Sequence, residues 1–74
     1  GIDMGALDRQ VDGNHYKTLK IQPLEYCLRN NLGICEHGAI KYLSRWRTKN
    51  GVSDLRKAIH YIEILIEEET RDKE

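Results

Sequence analysis

The fold is decided by residues 36–69, which read EHGAIKYLSRWRTKNGVSDLRKAIHYIEILIEEE. The first part places apolar residues three and four positions apart, the spacing of one helix face. That face consists of Ala39, Ile40, Leu43 and Trp46. Lys49 and Gly51 then form a strong stop signal, because a cation suits the C-terminal end of a helix and Gly tolerates left-handed backbone. We therefore predict a helix over residues 36–49.

A second helix is predicted over residues 53–69. Ser53 suits the N-cap, and Asp54 in the first turn complements the helix dipole. The predicted buried face is an unbroken apolar stripe: Leu55, Ala58, Ile59, Ile62, Leu65 and Ile66. Because only a few residues separate the two helices, they should pack antiparallel as a hairpin. Residues 70–74 are interpreted as a frayed tail.

The chain before the hairpin predicts a shorter helix and an arm. Pro23 suits the first turn of a helix, and the Asn and Gly residues from 30 to 33 predict its end, which gives a helix over residues 23–30. Leu19 and Ile21 alternate as in a short extended segment that packs one face inward. Residues 1–13 are interpreted as a flexible arm. We thus expect an all-α fold, a small three-helix domain over residues 14–69 with an extended N-terminal arm.

Tyr61 and Ile64 lie off the main stripe and form a second, smaller apolar strip. One interpretation is a broad buried face that the first helix or the N-terminal segment contacts. The alternative is a subunit interface, because a chain of 74 residues has a small core and such cores often gain stability from self-association. We expect a homo-oligomer.

Composition excludes several functional classes. Lys and Arg number 12, as do Asp and Glu, so the formal net charge is zero and a general nucleic-acid binder is disfavoured. No apolar run is long enough to span a membrane, and the N-terminus lacks the apolar core of a signal peptide. Cys27 and Cys35 are expected to be unpaired thiols. The His and Cys spacing matches no standard zinc pattern, so no metal site is predicted.

The main candidate for chemistry is a row of cationic residues spaced four apart on the first hairpin helix: His37, Lys41, Arg45 and Lys49. On a helix this spacing gives one slowly drifting row. Such a row presents hydrogen-bond donors to phosphate. The alternative is a solvated face whose partners are acids on the second hairpin helix.

Two further clusters combine polar and aromatic side chains. His15, Tyr16 and Lys17 could stack a base and contact a phosphate, or Tyr16 could anchor the arm on the helices. Asp54, Lys57 and Tyr61 share one side of the second hairpin helix. Asp54 could cap that helix, or the three could line a site in which Asp54 binds a metal-bound phosphate or acts as a base. The chain has no Gly-rich phosphate loop, which excludes an ordinary P-loop kinase.

Several short motifs in order resemble a family of small phage proteins that includes the nucleotide kinase of T7-like phages. These are His15-Tyr16-Lys17, residues 21–26 (IQPLEY), residues 39–45 (AIKYLSR) and residues 49–61 (KNGVSDLRKAIHY). Many members of the family are known only as a domain of unknown function. Members often carry Asn before the Ala-Ile-Lys-Tyr run, where this chain has His37-Gly38.

The resemblance implies a phage or prophage protein that acts in the host cytoplasm. It implies nucleotide binding and, as in the T7-like member, phosphoryl transfer to deoxynucleoside monophosphates by an oligomer, with magnesium delivered by the nucleotide. The residues that would bind nucleotide or phosphate are Lys41, Arg45, Lys57, Tyr16, Tyr61, His37 and Lys49, and the catalytic candidates are His15 and Asp54. The alternative is a non-enzymatic phage protein that sequesters nucleotides or inhibits a host protein.

Overall fold

The structure is a computed structural model that describes residues 19–71. It contains three α-helices, α1 (Pro23–Arg29), α2 (Ile34–Arg45) and α3 (Val52–Arg71), with a short 3-10 helix (Trp46–Thr48) between α2 and α3. No strand occurs among the described residues. The predicted all-α fold is confirmed for that part of the chain. The predicted arm, residues 1–13, lies outside it.

Helix α1 starts at Pro23 as predicted and ends at Arg29, one residue before its predicted end. Asn31 then adopts left-handed backbone with φ 57°, a conformation in which Asn is enriched. The Leu32 N–H donates to the Cys27 carbonyl at 2.9 Å, which closes the turn. Before α1, however, residues 19–21 form a bend and Ile21 is 56% exposed. The prediction that Ile21 packs inward is therefore wrong.

Helix α2 begins two residues before the predicted start and ends four residues early. Gly33 is its N-cap, and the Glu36 carboxylate accepts a hydrogen bond from the Gly33 N–H, an arrangement that satisfies one donor at the helix start. After Arg45 the chain tightens into the 3-10 helix, and the Gly51 N–H donates to the Trp46 carbonyl. Gly51 has φ 59°, so the reversal uses the Gly that the sequence marked as the stop.

Helix α3 begins at Val52, so Ser53 lies inside the first turn and is not the N-cap as predicted. The side chain that serves the start of this helix is that of Asp54, whose Oδ2 accepts from the Asn50 backbone N–H at 3.2 Å. The helix continues to Arg71, two residues beyond its predicted end. At 1.5 Å per residue α3 spans about 30 Å and α2 about 18 Å. The last turns of α3 therefore extend past the start of α2.

The face of α3 that packs against α2 differs from the predicted stripe. The buried residues are Asp54 and Ala58 on α3 and Gly38 and Ala39 on α2, and Tyr61 lies against Gly38. These positions continue at spacings of four and three, so they form one ridge. Tyr61 thus packs against α2 within one chain, where the sequence suggested a contact with the first helix, the N-terminal segment or a second subunit.

The predicted apolar stripe is only partly buried. Ala58 is 1% exposed, and Leu55 and Leu65 are half-buried. In contrast, three of its residues face outward, with exposed fractions of 55%, 43% and 58%: Ile59, Ile62 and Ile66. The reason is that α2 offers a flat surface at Gly38, which admits the Tyr61 ring and turns the isoleucines away from the hairpin.

Candidate functional site

Three cationic side chains surround the ring of Tyr42. The Arg45 Cζ lies 4.6 Å from the ring centroid, the Lys57 Nζ 5.3 Å and the Lys41 Nζ 5.4 Å. All three distances fall within the range of cation–π attraction. We call these four residues, together with Asp54, the Tyr42 cluster.

Local sequence explains how the cluster assembles. Lys41 and Tyr42 are neighbours on α2, and Arg45 follows Tyr42 by three positions, so its side chain lies above the same face. Lys57 comes from α3, where it stands three positions after Asp54. The hairpin is therefore needed to bring the third cation to the ring, because no single helix carries all four groups.

Asp54 is the buried anchor of the cluster. Its side chain is fully buried, and its Oδ2 accepts from the Arg45 Nε at 3.2 Å and from the Asn50 backbone N–H at 3.2 Å. Its Oδ1 accepts from the Asn50 side-chain Nδ2 at 3.3 Å and lies 3.9 Å from the Lys57 Nζ. A buried carboxylate is tolerated when it is paired and hydrogen-bonded in this way.

These contacts also set the ionisation of Asp54. Burial by itself would raise the pKa of the carboxyl, but the hydrogen bonds from Arg45 and Asn50 and the charge of Arg45 outweigh burial and hold the pKa below its usual value. The group is therefore ionised at neutral pH, and both of its oxygens are engaged within the fold. This geometry favours the capping interpretation of Asp54 over the interpretation as a base.

Tyr61 packs against the Tyr42 ring of the cluster. Its ring stacks on Tyr42, with centroids 5.9 Å apart and an interplanar angle of 21°, and it also lies against Gly38. Gly38, which belongs to the His37-Gly38 stretch that departs from the pattern the sequence resembles, therefore has a packing role in this chain. Because Tyr61 is held between Gly38 and Tyr42, its ring is committed to the hairpin.

His37 lies beside a cavity rather than in a continuous cationic row. A cavity of about 200 Å³ is lined by Gln22, Pro23, Leu24, His37 and Lys41. Burial and the nearby Lys41 charge lower the pKa of His37 from its ordinary value of 6.5. His37 is therefore mainly neutral at neutral pH. Lys41 links this cavity to the Tyr42 cluster, since it contributes to both.

Of the remaining predicted site residues, only Lys49 lies within the described part of the chain. Lys49 is exposed and follows the 3-10 helix, so it does not continue the row on α2. His15 and Tyr16 lie outside the described residues. The residue that sequence reasoning left out of the site is Tyr42. Its position one residue after Lys41 and three before Arg45 was the available signal.

Three further findings concern metal binding, membrane spanning and the cysteines. Within residues 19–71, no three His, Cys, Asp or Glu side chains lie close enough to hold a metal ion. No helix in the same part of the chain is long and apolar enough to cross a membrane. Cys27 and Cys35 are both unpaired thiols.

Comparison with known families places the chain in one of them. A family model described as a protein of unknown function, DUF3310, matches residues 11–63. The chain belongs to this family. The DUF3310 match contains the whole Tyr42 cluster and all of α2, and it ends at residue 63 inside α3. Comparison with curated proteins and with solved structures gave no match.

Proposed function

We propose that the protein binds a nucleotide, with its phosphate groups at the Tyr42 cluster. The observation that carries the proposal is the convergence of Lys41, Arg45 and Lys57 on one ring, with Asp54 as the carboxylate that offsets them. Three cations against one carboxylate leave an excess of positive charge, while the chain as a whole has none. Such local excess favours an anionic ligand, because charge-assisted hydrogen bonds to phosphate are strong.

The cations have different roles in this proposal. Arg45 is 13% exposed at its side chain and bound to Asp54, so it mainly holds the cluster together. The Lys57 side chain is 46% exposed, and its Nζ makes a long ion pair with the Asp54 Oδ1 at 3.9 Å. Lys41 has no carboxylate partner in the described part of the chain. Lys41 and Lys57 are therefore the residues that would contact phosphate.

The cavity beside Lys41 is the proposed place for the base. Its walls combine the apolar surfaces of Pro23 and Leu24 with the Gln22 amide and the neutral His37 imidazole. Ligand sites commonly pair apolar walls with a few polar groups in this manner. Tyr61, which the sequence suggested for base stacking, is engaged with Tyr42 and Gly38. Tyr16 and His15 remain candidates for stacking and for orienting a phosphate.

The proposal has two forms, a protein that only binds nucleotide and a nucleotide kinase. The geometry of the cluster favours binding alone. Asp54 is fully hydrogen-bonded and cannot easily accept a substrate proton, so the cluster offers no general base. The sequence resemblance supports the second form, a deoxynucleoside monophosphate kinase that uses magnesium brought by the nucleotide. Both forms include a phage protein that self-associates and acts in the host cytoplasm. If the protein binds nucleotide without catalysing phosphoryl transfer, its role would be to sequester nucleotides or to inhibit a host protein.

Calorimetric titration with nucleoside monophosphates and triphosphates tests the site. We expect Lys41→Ala plus Lys57→Ala to weaken binding by about a hundredfold or more, since each of the two lost charged hydrogen bonds contributes on the order of 1.5–3 kcal/mol. Arg29→Ala is the matched control, because Arg29 is an exposed cation paired with Glu25 on α1. Equal affinity of the double variant and the control would contradict the site.

A turnover assay separates the two forms of the proposal. The protein is incubated with ATP, magnesium and each deoxynucleoside monophosphate, and diphosphate formation is measured. We expect binding with no diphosphate above background. Diphosphate production that disappears in Lys41→Ala plus Lys57→Ala would instead establish the kinase.

A further inference from the structure

The outward face of α3 has the pattern of a coiled-coil seam. Its apolar residues alternate at spacings of three and four: Val52, Leu55, Ile59, Ile62 and Ile66. Val52, Ile59, Ile62 and Ile66 are 58%, 55%, 43% and 58% exposed. Val52, Ile59 and Ile66 occupy one of the two apolar heptad positions, a, and Leu55 and Ile62 occupy the other, d. We call these five residues the α3 seam.

Four of the five residues of the α3 seam are exposed in the described part of the chain, and the hydrophobic core there is small. Only Cys27, Ala39 and Ala58 form the buried hydrophobic core of the described residues. Because three isoleucines of the seam are exposed, covering the seam would stabilise the chain. The seam spans about 21 Å between Val52 and Ile66, long enough for four turns of helix contact.

Charges beside the seam identify the occupant and its direction. Arg56 follows Leu55 and Glu63 follows Ile62, so both stand on the same edge of the seam. Neither has an ion-pair partner in the described residues. In an antiparallel pair of α3 helices centred between Ile59 and Ile62, Arg56 of each chain meets Glu63 of the other. A parallel pair would instead place the two acidic ends, residues 67–69, beside each other.

We propose that a second copy of this chain packs on the α3 seam, antiparallel, with two symmetric Arg56–Glu63 ion pairs at its edge. Ile59 of one chain then lies against Ile62 of the other, and Leu55 against Ile66. Two hairpins joined in this way form a four-helix bundle. This inference deepens only the self-association part of the proposed function. It is independent of nucleotide binding, because Lys57 and Ile59 are two positions apart and point to different faces of α3.

Sedimentation velocity of the full chain over a micromolar concentration series tests the inference. We expect a dimer that Ile62→Asp converts to a monomer with unchanged helix content by circular dichroism. A wild-type chain that stays monomeric would overturn the proposal and would leave residues 1–18 or another protein as the cover of the seam. Association that survives Ile62→Asp would also overturn it.

A charge exchange tests the direction of packing. Arg56→Glu and Glu63→Arg should each weaken the dimer by roughly tenfold, because each places two like-charge pairs at the symmetric interface. The double variant should restore wild-type association. Since residues 56 and 63 are seven positions apart and do not meet within one helix, restoration requires contact between chains. Failure of the double variant to recover would exclude the antiparallel pair. Titration of the Ile62→Asp variant with nucleotide tests the two proposals separately. Loss of the dimer with nucleotide binding retained would concern the α3 seam alone.

Discussion

Tyr61 of α3 lies directly against Gly38 of α2. A Cβ atom at position 38 would stand 2.6 Å from the Tyr61 Cδ1 and 2.7 Å from its Cε1. The space that Gly38 leaves is therefore filled by the Tyr61 ring, and Tyr42 stacks on that ring. This contact sets the approach of α2 and α3, and through Tyr42 it sets the position of the cationic cluster.

Gly38→Ala should destabilise the fold by up to about 2 kcal/mol. Replacing Gly by Ala inside a helix normally gains up to about 1 kcal/mol, but the overlap with Tyr61 costs about 1–3 kcal/mol. Urea unfolding measures the difference. Gly33→Ala is the control, because the nearest atom to its added Cβ is a Glu36 carboxylate oxygen at 3.4 Å. A more stable Gly38→Ala would show that the ring moves aside without penalty.

Asp54→Ala should reduce the folding equilibrium constant on the order of a hundredfold or more, because it leaves Arg45 partly buried without its partner. Asp54→Asn keeps an acceptor for the Asn50 N–H and should lose less. Urea unfolding of both variants gives the comparison. Glu68→Ala, which removes an exposed ion pair with Arg71, should change little. If Asp54→Ala lost no more unfolding free energy than Glu68→Ala, Asp54 would not be the anchor of the cluster.

Stability should fall as pH decreases from neutral toward 5, and His37 should cause part of the fall. Because burial and Lys41 lower the pKa of His37 in the folded state, the unfolded chain takes up the proton first as pH falls through 6.5. Unfolding free energies at several pH values, for wild type and His37→Gln, measure the effect. His60→Gln, at an exposed position on α3, is the control. An unchanged pH slope in His37→Gln would contradict the assignment.

A second acidic transition should come from Asp54. Its pKa in the folded state lies below the ordinary value of 3.8, so its contribution to stability is present above that value and is lost as pH falls below it. The unfolding free energy of wild type between pH 5 and 2 should therefore drop more steeply than that of Asp54→Asn. Parallel curves for the two proteins would contradict the lowered pKa.

Tyr42→Leu should weaken nucleotide binding and lower the melting temperature, because it removes the ring that organises three cations. Each cation–π contact contributes about 0.5–1 kcal/mol at an exposed site. Tyr42→Phe keeps the ring and should behave like wild type in both measurements. If Tyr42→Leu and Tyr42→Phe were indistinguishable by calorimetry and thermal melting, the ring would have no organising role.

Local signals were enough to predict the helices of the described chain. Pro23 marks the start of α1, and Asn50-Gly51 marks the reversal between α2 and α3, because these residues favour particular backbone angles wherever they occur. The errors at the helix ends have one source. The last turn predicted for α2 became a 3-10 helix, and Asp54 replaced Ser53 as the side chain at the start of α3, because contacts across the hairpin outweighed local preference.

The sequence by itself determined that this chain forms a helical hairpin with cations on its first helix. Helix periodicity, Pro and Gly positions and charge order are properties of the chain alone. Only the tertiary structure decided which face of α3 is buried and which cations meet. An apolar stripe specifies that a helix face can be buried but not what it packs against. The space beside Gly38 is occupied by Tyr61, which therefore lies in the interface between α2 and α3. That choice turned Ile59, Ile62 and Ile66 outward and brought Lys57 across to Tyr42, Lys41 and Arg45.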